Sequence, residues 1–369
     1  MTEASGSHGA NEPVVIRAEP ARMVLPPHAP GFLEIRVRIA QAAMRFFDPA
    51  QPNPYADALG KPAYDRDNSL TGEDFRQHLL ADETFFTELH SVLIHPLLRD
   101  MARADLLYDH GISRATDGVL GHAYQAIPSS ITNAQRGGSL WLSRALGPTM
   151  IIEKYGSVTA HMTGTTPDGD VTNASGLVLD PGHILTNAHV VRDCTLDATI
   201  AAPAPHTPTE GALQTAFHIT LRTDDALIHP TIDVAVIPVD TKGPPFKALS
   251  GVAFRDPQWS DETYVFGYPP ISTLDSPYLV VQRGEVVNPA VRSREDEQFF
   301  LYSSIARPGN SGGPVVAQDG RVVGLVTRDL PDARQIASPF YGGVSAGQIR
   351  IALGDLGVAD LIHWEDWHY

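Results

Sequence analysis

The chain has 369 residues and a net charge of −16; it is 43% hydrophobic and 19% charged, and Cys194 is its single cysteine. That length leaves room for two or more domains, and that apolar content is enough for a core. The acidic balance, with no block of lysine and arginine, excludes unaided binding to nucleic acid or to an anionic membrane; no apolar run reaches the 18 or so residues that span a bilayer, and one cysteine excludes an intramolecular disulfide.

In chain order, residues 1–30 are polar and proline-bearing and read as a disordered tail. They lack the basic and apolar regions of a signal peptide, so a cytoplasmic location is expected, with export by another route left open. Residues 31–125 read as a small helical domain of unknown, regulatory role. Phe32 to Phe47 is helical in composition and stops at Asp48-Pro49, although Glu34 to Ile39 alternates as a strand would. Thr71-Gly72-Glu73-Asp74 is a capping box opening a helix through Leu80. A second helical stretch is expected from Asp82 to Tyr108, interrupted near Pro96 and ended by Gly111. The stripe Phe75, Leu79, Leu80, Phe85, Phe86, Leu89, Val92 and Leu93 reads as bundle core.

No metal or cofactor is expected. His78, His90, His95 and His110 lack a compact ligand spacing and read as packing or surface residues. Asp65 to Ser69 looks like the start of a calcium loop, but Leu70 stands where the glycine belongs and Arg76 where the terminal acid belongs.

Residues 126–148 read as a linker with a short helix around Ser139 to Leu146. The composition then changes to short apolar runs: Met150–Met162, Ala174–Leu179, His183–Asn187, Ala198–Ala201, Ala216–Leu221, Val234–Val239, Thr263–Phe266, Leu279–Arg283, Phe299–Ser303, Gly313–Ala317 and Arg321–Thr327. Turn signals such as Pro181-Gly182 and Asp319-Gly320 separate them, which is the pattern of an all-β barrel or sandwich. Residues 355–369 form an aromatic tail expected to pack on the barrel. Cys194 reads as a buried small hydrophobe.

Three segments carry chemistry. Gly309-Asn310-Ser311-Gly312-Gly313 places a serine in a glycine-rich turn, which is either an ordinary hairpin or the setting of a nucleophile needing an exposed hydroxyl, a base and nearby N–H donors. Gly182 to Val191 ends an apolar run in small residues and His189, whose imidazole is suited to take a serine proton near neutrality. Ile232 to Val239 is a buried-looking strand with one carboxylate, Asp233, at its start. An acid there needs a partner, and His189 is the candidate.

These segments resemble those of chymotrypsin-fold serine proteases, especially bacterial trypsin-like and Deg-type (high-temperature-requirement) members, over about residues 149–354. The order His189, Asp233, Ser311 matches that family and differs from the subtilisin and α/β-hydrolase orders. His189 and Asp233 stand 44 residues apart, and Asp233 and Ser311 stand 78 apart. The resemblance implies two six-stranded barrels with the site in the cleft between them, and a closing helix at Gly347 to Leu353. It implies a serine endopeptidase acting on protein or peptide substrates through an acyl-enzyme, with Gly309, Asn310 and Ser311 as oxyanion-hole donors. It gives Thr327 a supporting bond to the triad acid. By family register Ile305, Ala306 and Arg307 line the specificity pocket, Ile305 replacing the pocket-floor aspartate of trypsin, so a small or medium apolar residue is expected before the scissile bond; Arg307 recognising an acidic residue is the other reading. Asn310 departs from trypsin, which has there an aspartate that pairs with a freed N-terminus. Control is therefore expected from the helical domain, through a protein partner, or from the tail or assembly. The tail is too short for the peptide-binding PDZ domain that many Deg-type members carry. A catalytically silent trypsin-like binding or adaptor module is the alternative.

Overall fold

The computed structural model describes residues 31–50, 53–61, 70–81, 91–201, 218–241, 248–274, 277–294, 296–327 and 340–366. The readings of residues 1–30, of Asp65 to Ser69, and of residues 82–90 with His90 lie outside them.

The N-terminal unit has helices α1 (Phe32–Phe46), α2 (Pro54–Ala58), α3 (Gly72–Ala81) and α4 (Ser91–Arg103). The capping box forms as read: Thr71 N–H donates to Asp74 Oδ2 (2.9 Å) and Asp74 N–H to Thr71 Oγ1 (3.1 Å). Asp74 is 1% exposed and also accepts from Lys61 Nζ (2.6 Å) and from Thr116 N–H (2.7 Å), so a buried ion pair ties three loops together. Pro96 lies inside α4 without ending it. The helix stops at Arg103, short of Tyr108 and Gly111. The next residues form an antiparallel hairpin of β1 (Leu107–Arg114) and β2 (Leu120–Ala126), with Gly111 at a bulge. Leu107, Tyr124 and Ala126 join the helical core, and in β1 Leu107 is the one residue both apolar and buried, so the segment lacks the apolar stripe that a further helix would bury. His78 stacks on Phe46 and meets Tyr55 edge-on, a packing role.

Residues 128–156 are packed on both sides rather than extended as a linker. After 3₁₀ turns come α5 (Ser143–Leu146) and α6 (Pro148–Gly156), the latter replacing the strand expected from Met150; Pro148 at its first turn favours helix entry. Leu142, Ala145, Leu146 and Met150 belong to the N-terminal core, while Leu140, Ile151 and Tyr155 belong to the barrel core. Tyr155 hydroxyl donates to Gly320 O (2.7 Å), and a Cβ at Gly320 would meet the Ser143 side chain, so the bridging segment lies directly on a barrel turn.

The remainder is all-β. Strands β3 (Thr159–Thr165), β4 (Val171–Asp180), β5 (His183–Thr186), β6 (Thr195–Leu196), β7 (Thr199–Ala201), β8 (His218–Leu221), β9 (Leu227–Ile228) and β10 (Ala235–Thr241) form one sheet, ordered β6-β3-β4-β5-β10-β8-β7 with β9 beside β10. The short helix α7 (Ala188–Arg192) follows β5. Strands β11 (Glu262–Gly267), β12 (Val280–Arg292), β13 (Gln298–Tyr302), β14 (Pro314–Ala317), β15 (Val322–Val326) and β16 (Tyr341–Ser345) close a six-stranded barrel, and α8 (Ala346–Asp355) packs across β15. This is a chymotrypsin-type all-β fold, a closed barrel beside a half-barrel among the described residues. β12 runs well past Arg283 because Pro289 falls at a bulge, where the missing N–H costs no ladder bond.

Alternation decides which side each strand faces. In β11, Val265 enters the closed barrel with Phe300 and Val315, while Tyr264 and Phe266 face the core shared with the first sheet, α6 and α8. The C-terminal tail adds to that shared core: Trp364 packs on it, Phe254 N–H bonds His363 O (2.8 Å), and Glu365 reaches Thr132 and Arg321 Nε (2.6 Å for the latter).

Candidate active site

The register of β5 against β10 builds the first half of the site. Thr186 pairs with Ala235, so in antiparallel geometry the residues after Thr186 lie beside those before Ala235, which brings His189 against Asp233. Asp233 accepts His189 Nδ1 (2.8 Å to Oδ2) and His189 N–H (2.9 Å to Oδ1). Both side chains are partly open to solvent, at 16% and 24% exposure. Burial works against charge on Asp233, but the bonds from His189 and from Thr327 outweigh it and hold the carboxyl below its ordinary value. Asp233 is therefore ionised at neutral pH, and a bond to Nδ1 leaves Nε2 of His189 as the free nitrogen.

The second half comes from the closed barrel. The Gly309–Gly313 turn runs between β13 and β14 and is pinned to the end of β15: Gly312 N–H donates to Val326 O (3.0 Å) and Val326 N–H to Gly313 O (2.9 Å). That places the next residue, Thr327, so that its hydroxyl donates to Asp233 Oδ2 (2.7 Å), joining the two sheets through the carboxylate. Ser311 is half-buried, its carbonyl accepts Ser175 N–H (2.8 Å), and its hydroxyl makes no hydrogen bond among the described residues. His189, Asp233, Thr327 and Ser311 are thus gathered from four separate stretches of the chain.

The turn's backbone is specific. Gly309 has φ +97° and Gly312 φ +80°, and a Cβ on Gly309 would collide with Tyr268 O while one on Gly312 would collide with Ser175 and Thr186. The N–H groups of Gly309 and Ser311 are unbonded among the described residues, as an oxyanion site needs. Asn310 does not join them. Its N–H already donates to Arg307 O (2.9 Å), its side chain is 1% exposed, and its Oδ1 is buried without a partner among the described residues.

The residues assigned to the specificity pocket divide. Ala306 is buried, Arg307 is exposed, and Ile305 is 44% exposed. The segment 328–339 that follows Thr327 lies outside the described residues. Cys194 is half-buried rather than buried, and burial with neighbouring Asp193 pushes its thiol up, away from reactivity. Two clefts, of about 630 and 820 Å³, lie between α1, α4 and α5 and beside the C-terminal tail, and neither is lined by His189, Asp233 or Ser311. Among the described residues no group of three His, Cys, Asp or Glu is placed to hold a metal ion, and no helix is long and apolar enough to cross a membrane.

Three polar residues at the site were not legible in the sequence. Asn187 sits at the N-cap of α7 but caps nothing; its Nδ2 donates to Asp233 O (3.0 Å) instead. Ser175 and Tyr268 touch the Gly309–Gly313 turn from the other sheet and from the end of β11. The one signal available was a small polar residue, Ser175, within the apolar run Ala174 to Leu179.

The family model that matches the chain is the trypsin-like peptidase domain, over residues 174–325. A serine protease of Mycobacterium tuberculosis, Rv3671c, is 24% identical over 183 residues, 48% of this chain and 42% of the relative. The uncharacterized protein y4bJ of Sinorhizobium fredii is 26% identical over 171 residues, 46% of this chain and 24% of the relative. The chain thus spans less than half the length of these relatives. Among solved structures, the active form of Rv3671c aligns with a TM-score of 0.41 at 19% identity, over 56% of this chain and 84% of the other. The HtrA-type protease AlgW with tripeptide aligns with a TM-score of 0.41 at 19% identity, over 55% of this chain and 60% of the other. The stretch that matches this family model, residues 174–325, holds His189, Asp233 and Ser311.

Proposed function

We propose that the protein is a serine endopeptidase in which Ser311 is the nucleophile, His189 the general base and Asp233 the residue that orients it. The observation that carries this reading is the bond between His189 Nδ1 and Asp233, backed by Thr327, whose neighbour Val326 is bonded to a glycine turn with two N–H groups unbonded among the described residues. Ser311 Oγ attacks the carbonyl carbon of a peptide bond while Nε2 of His189 takes its proton. The imidazolium is stabilised by ionised Asp233 and returns the proton to the leaving amine. Water then hydrolyses the acyl-enzyme by the same base. The N–H groups of Gly309 and Ser311 receive the oxyanion, where one donor is worth about 3 to 4 kcal/mol of barrier.

The substrate class is a protein or peptide. With Ala306 buried and no acid at position 305, 306 or 307, a small or medium apolar side chain before the scissile bond fits better than lysine or arginine. With Cys194 its only cysteine, the domain needs no disulfide, in keeping with the reducing cytoplasm of a bacterium. Control by residues 31–125, through a protein partner, is part of the proposal. Its support is that α5 and α6 share side chains with both the helical and the barrel cores.

Serine-directed fluorophosphonate is expected to label the folded protein and not Ser311→Ala, and turnover of a peptide panel is expected to fall by about 10⁴-fold or more in that variant. A folded wild type that takes up no label and cleaves nothing would identify a silent binding module. Deletion of residues 1–125, which leaves Leu140 to Met150 in place, is expected to change kcat/KM on the same panel; an unchanged value in a soluble fragment excludes control by that unit.

A further inference from the structure

We propose that Ser175 is a positioning residue that holds the oxyanion turn in its receptive form from across the cleft, an inference that rests on the peptidase reading above. Every polar group of Ser175 is engaged, and each bond bears on the site. Its N–H donates to Ser311 O (2.8 Å) and its hydroxyl donates to Gly309 O (2.7 Å). The same hydroxyl accepts Tyr268 N–H (3.1 Å), and its carbonyl accepts the hydroxyl of Thr186 (2.9 Å), three residues before His189. Ser175 lies on β4 and is fully buried, so no water competes for these bonds.

The consequence lies in the direction of two peptide planes. An oxyanion hole works only when the N–H groups of Gly309 and Ser311 face the cleft, so the turn's carbonyls must be held elsewhere. Ser175 holds the carbonyls of both residues, its hydroxyl taking Gly309 O and its amide Ser311 O, which fixes the 309–310 and 311–312 peptide planes; these flank the plane that carries Ser311 N–H, whose own carbonyl, Asn310 O, accepts Gly313 N–H (2.8 Å), and the 309–310 plane adjoins the one that carries Gly309 N–H. Gly309 is the residue free to turn, because at φ +97° a glycine crosses between backbone regions at little cost. The side chain inside the turn supplies no competing anchor, since Asn310 carries no charge and its Oδ1 has no partner among the described residues. Tyr268 completes the hold: its N–H fixes the Ser175 hydroxyl as a donor toward Gly309, and its own carbonyl packs where a Gly309 Cβ would be. The turn is therefore set by the opposite sheet, without a freed N-terminus.

Ser175→Ala keeps the amide and removes the hydroxyl. In the full-length chain it is expected to lower kcat at least about tenfold with KM within about twofold, because the lost function is needed in the transition state and not for substrate binding. Hydrogen–deuterium exchange supplies a readout independent of turnover. The amides of Asn310, Gly312 and Gly313, all bonded in this turn, are expected to exchange about tenfold faster in Ser175→Ala, with β12 and β13 unchanged. Unchanged kcat together with unchanged exchange in the turn overturns the proposal. So does faster exchange spread evenly over both sheets, which marks general loosening. If the wild type neither turns over peptide nor takes up fluorophosphonate, the peptidase reading fails by itself, and the exchange comparison still decides whether Ser175 holds the turn.

Discussion

Asp233 is held by His189 N–H, His189 Nδ1 and the Thr327 hydroxyl, and those donors come from both sheets. Removing one of them leaves a partly buried carboxylate short of a bond, and a hydrogen bond to a charged group is worth about 1.5 to 3 kcal/mol. Thr327→Val keeps the shape and removes the donor. It is expected to lower kcat/KM about tenfold through kcat, read with a peptide ester and amide pair. An unchanged kcat would show that His189 alone fixes the carboxylate. The residues whose proposed chemistry is borne by their own side chains, Ser311, His189 and Asp233, could be picked out as candidates in the sequence because only a few residue types can do that work. Ser175 and Asn187 could not, since they act by turning backbone groups of other residues, and the direction of a carbonyl is set by packing rather than by residue type.

At the scale of elements, glycines explain a strand that composition concealed. Tyr341 to Ser345 contains Gly342-Gly343 and is not among the apolar runs of the sequence, yet it forms β16, between β13 and β15 in the wall of the closed barrel. Phe300 on β13 fills the barrel interior, and a Cβ on Gly343 would lie 2.5 Å from its ring. The facing Gly324 on β15 meets the same ring, so two missing side chains make room for one large one. Gly343→Ala is expected to cost about 1 to 3 kcal/mol by overpacking, measured as a shift in urea midpoint. Adding Phe300→Leu should recover part of that loss. If the two changes simply add, the glycine is there for another reason. The opposite error, helix in place of strand over Met150 to Gly156, has the same root: a short apolar run is compatible with both, and here the facing surfaces of two cores select a helix that presents Met150 to one and Ile151 to the other.

Over the whole molecule, buried carboxylates link the parts. Asp74 closes the helical unit. Asp319 pairs with Arg255 (2.9 Å) and with Arg321, which in turn reaches Glu365 of the tail and Gln135 of the bridging segment. Burial opposes ionisation of Asp74, Asp233 and Asp319, yet bonds to cations and donors hold all three below the ordinary carboxylate value. A carboxyl with a lowered folded value stabilises the protein above its unfolded value and loses that contribution as pH falls through the folded one. His161 acts in the same direction at higher pH: burial holds it below its ordinary value, so the unfolded chain takes up the proton first. Stability is therefore expected to decline from about pH 6 downward and steeply below about pH 4. Urea midpoints that stay level from pH 7 to pH 3 would contradict this linkage.

The sequence by itself determined the candidate residues of the proposed chemistry and their order along the chain, together with most strands of the β region, because side-chain type and apolar alternation are local properties that survive in one dimension. The tertiary structure decided which backbone groups are left free. The two open N–H groups of the turn, the removal of Asn310 from the donor set, the exposure of Ile305 and the wedge of α5 and α6 between two cores all depend on surfaces brought together from distant segments. A hydrogen bond spent in one place is unavailable in another, and where it is spent is known only once every partner is in position.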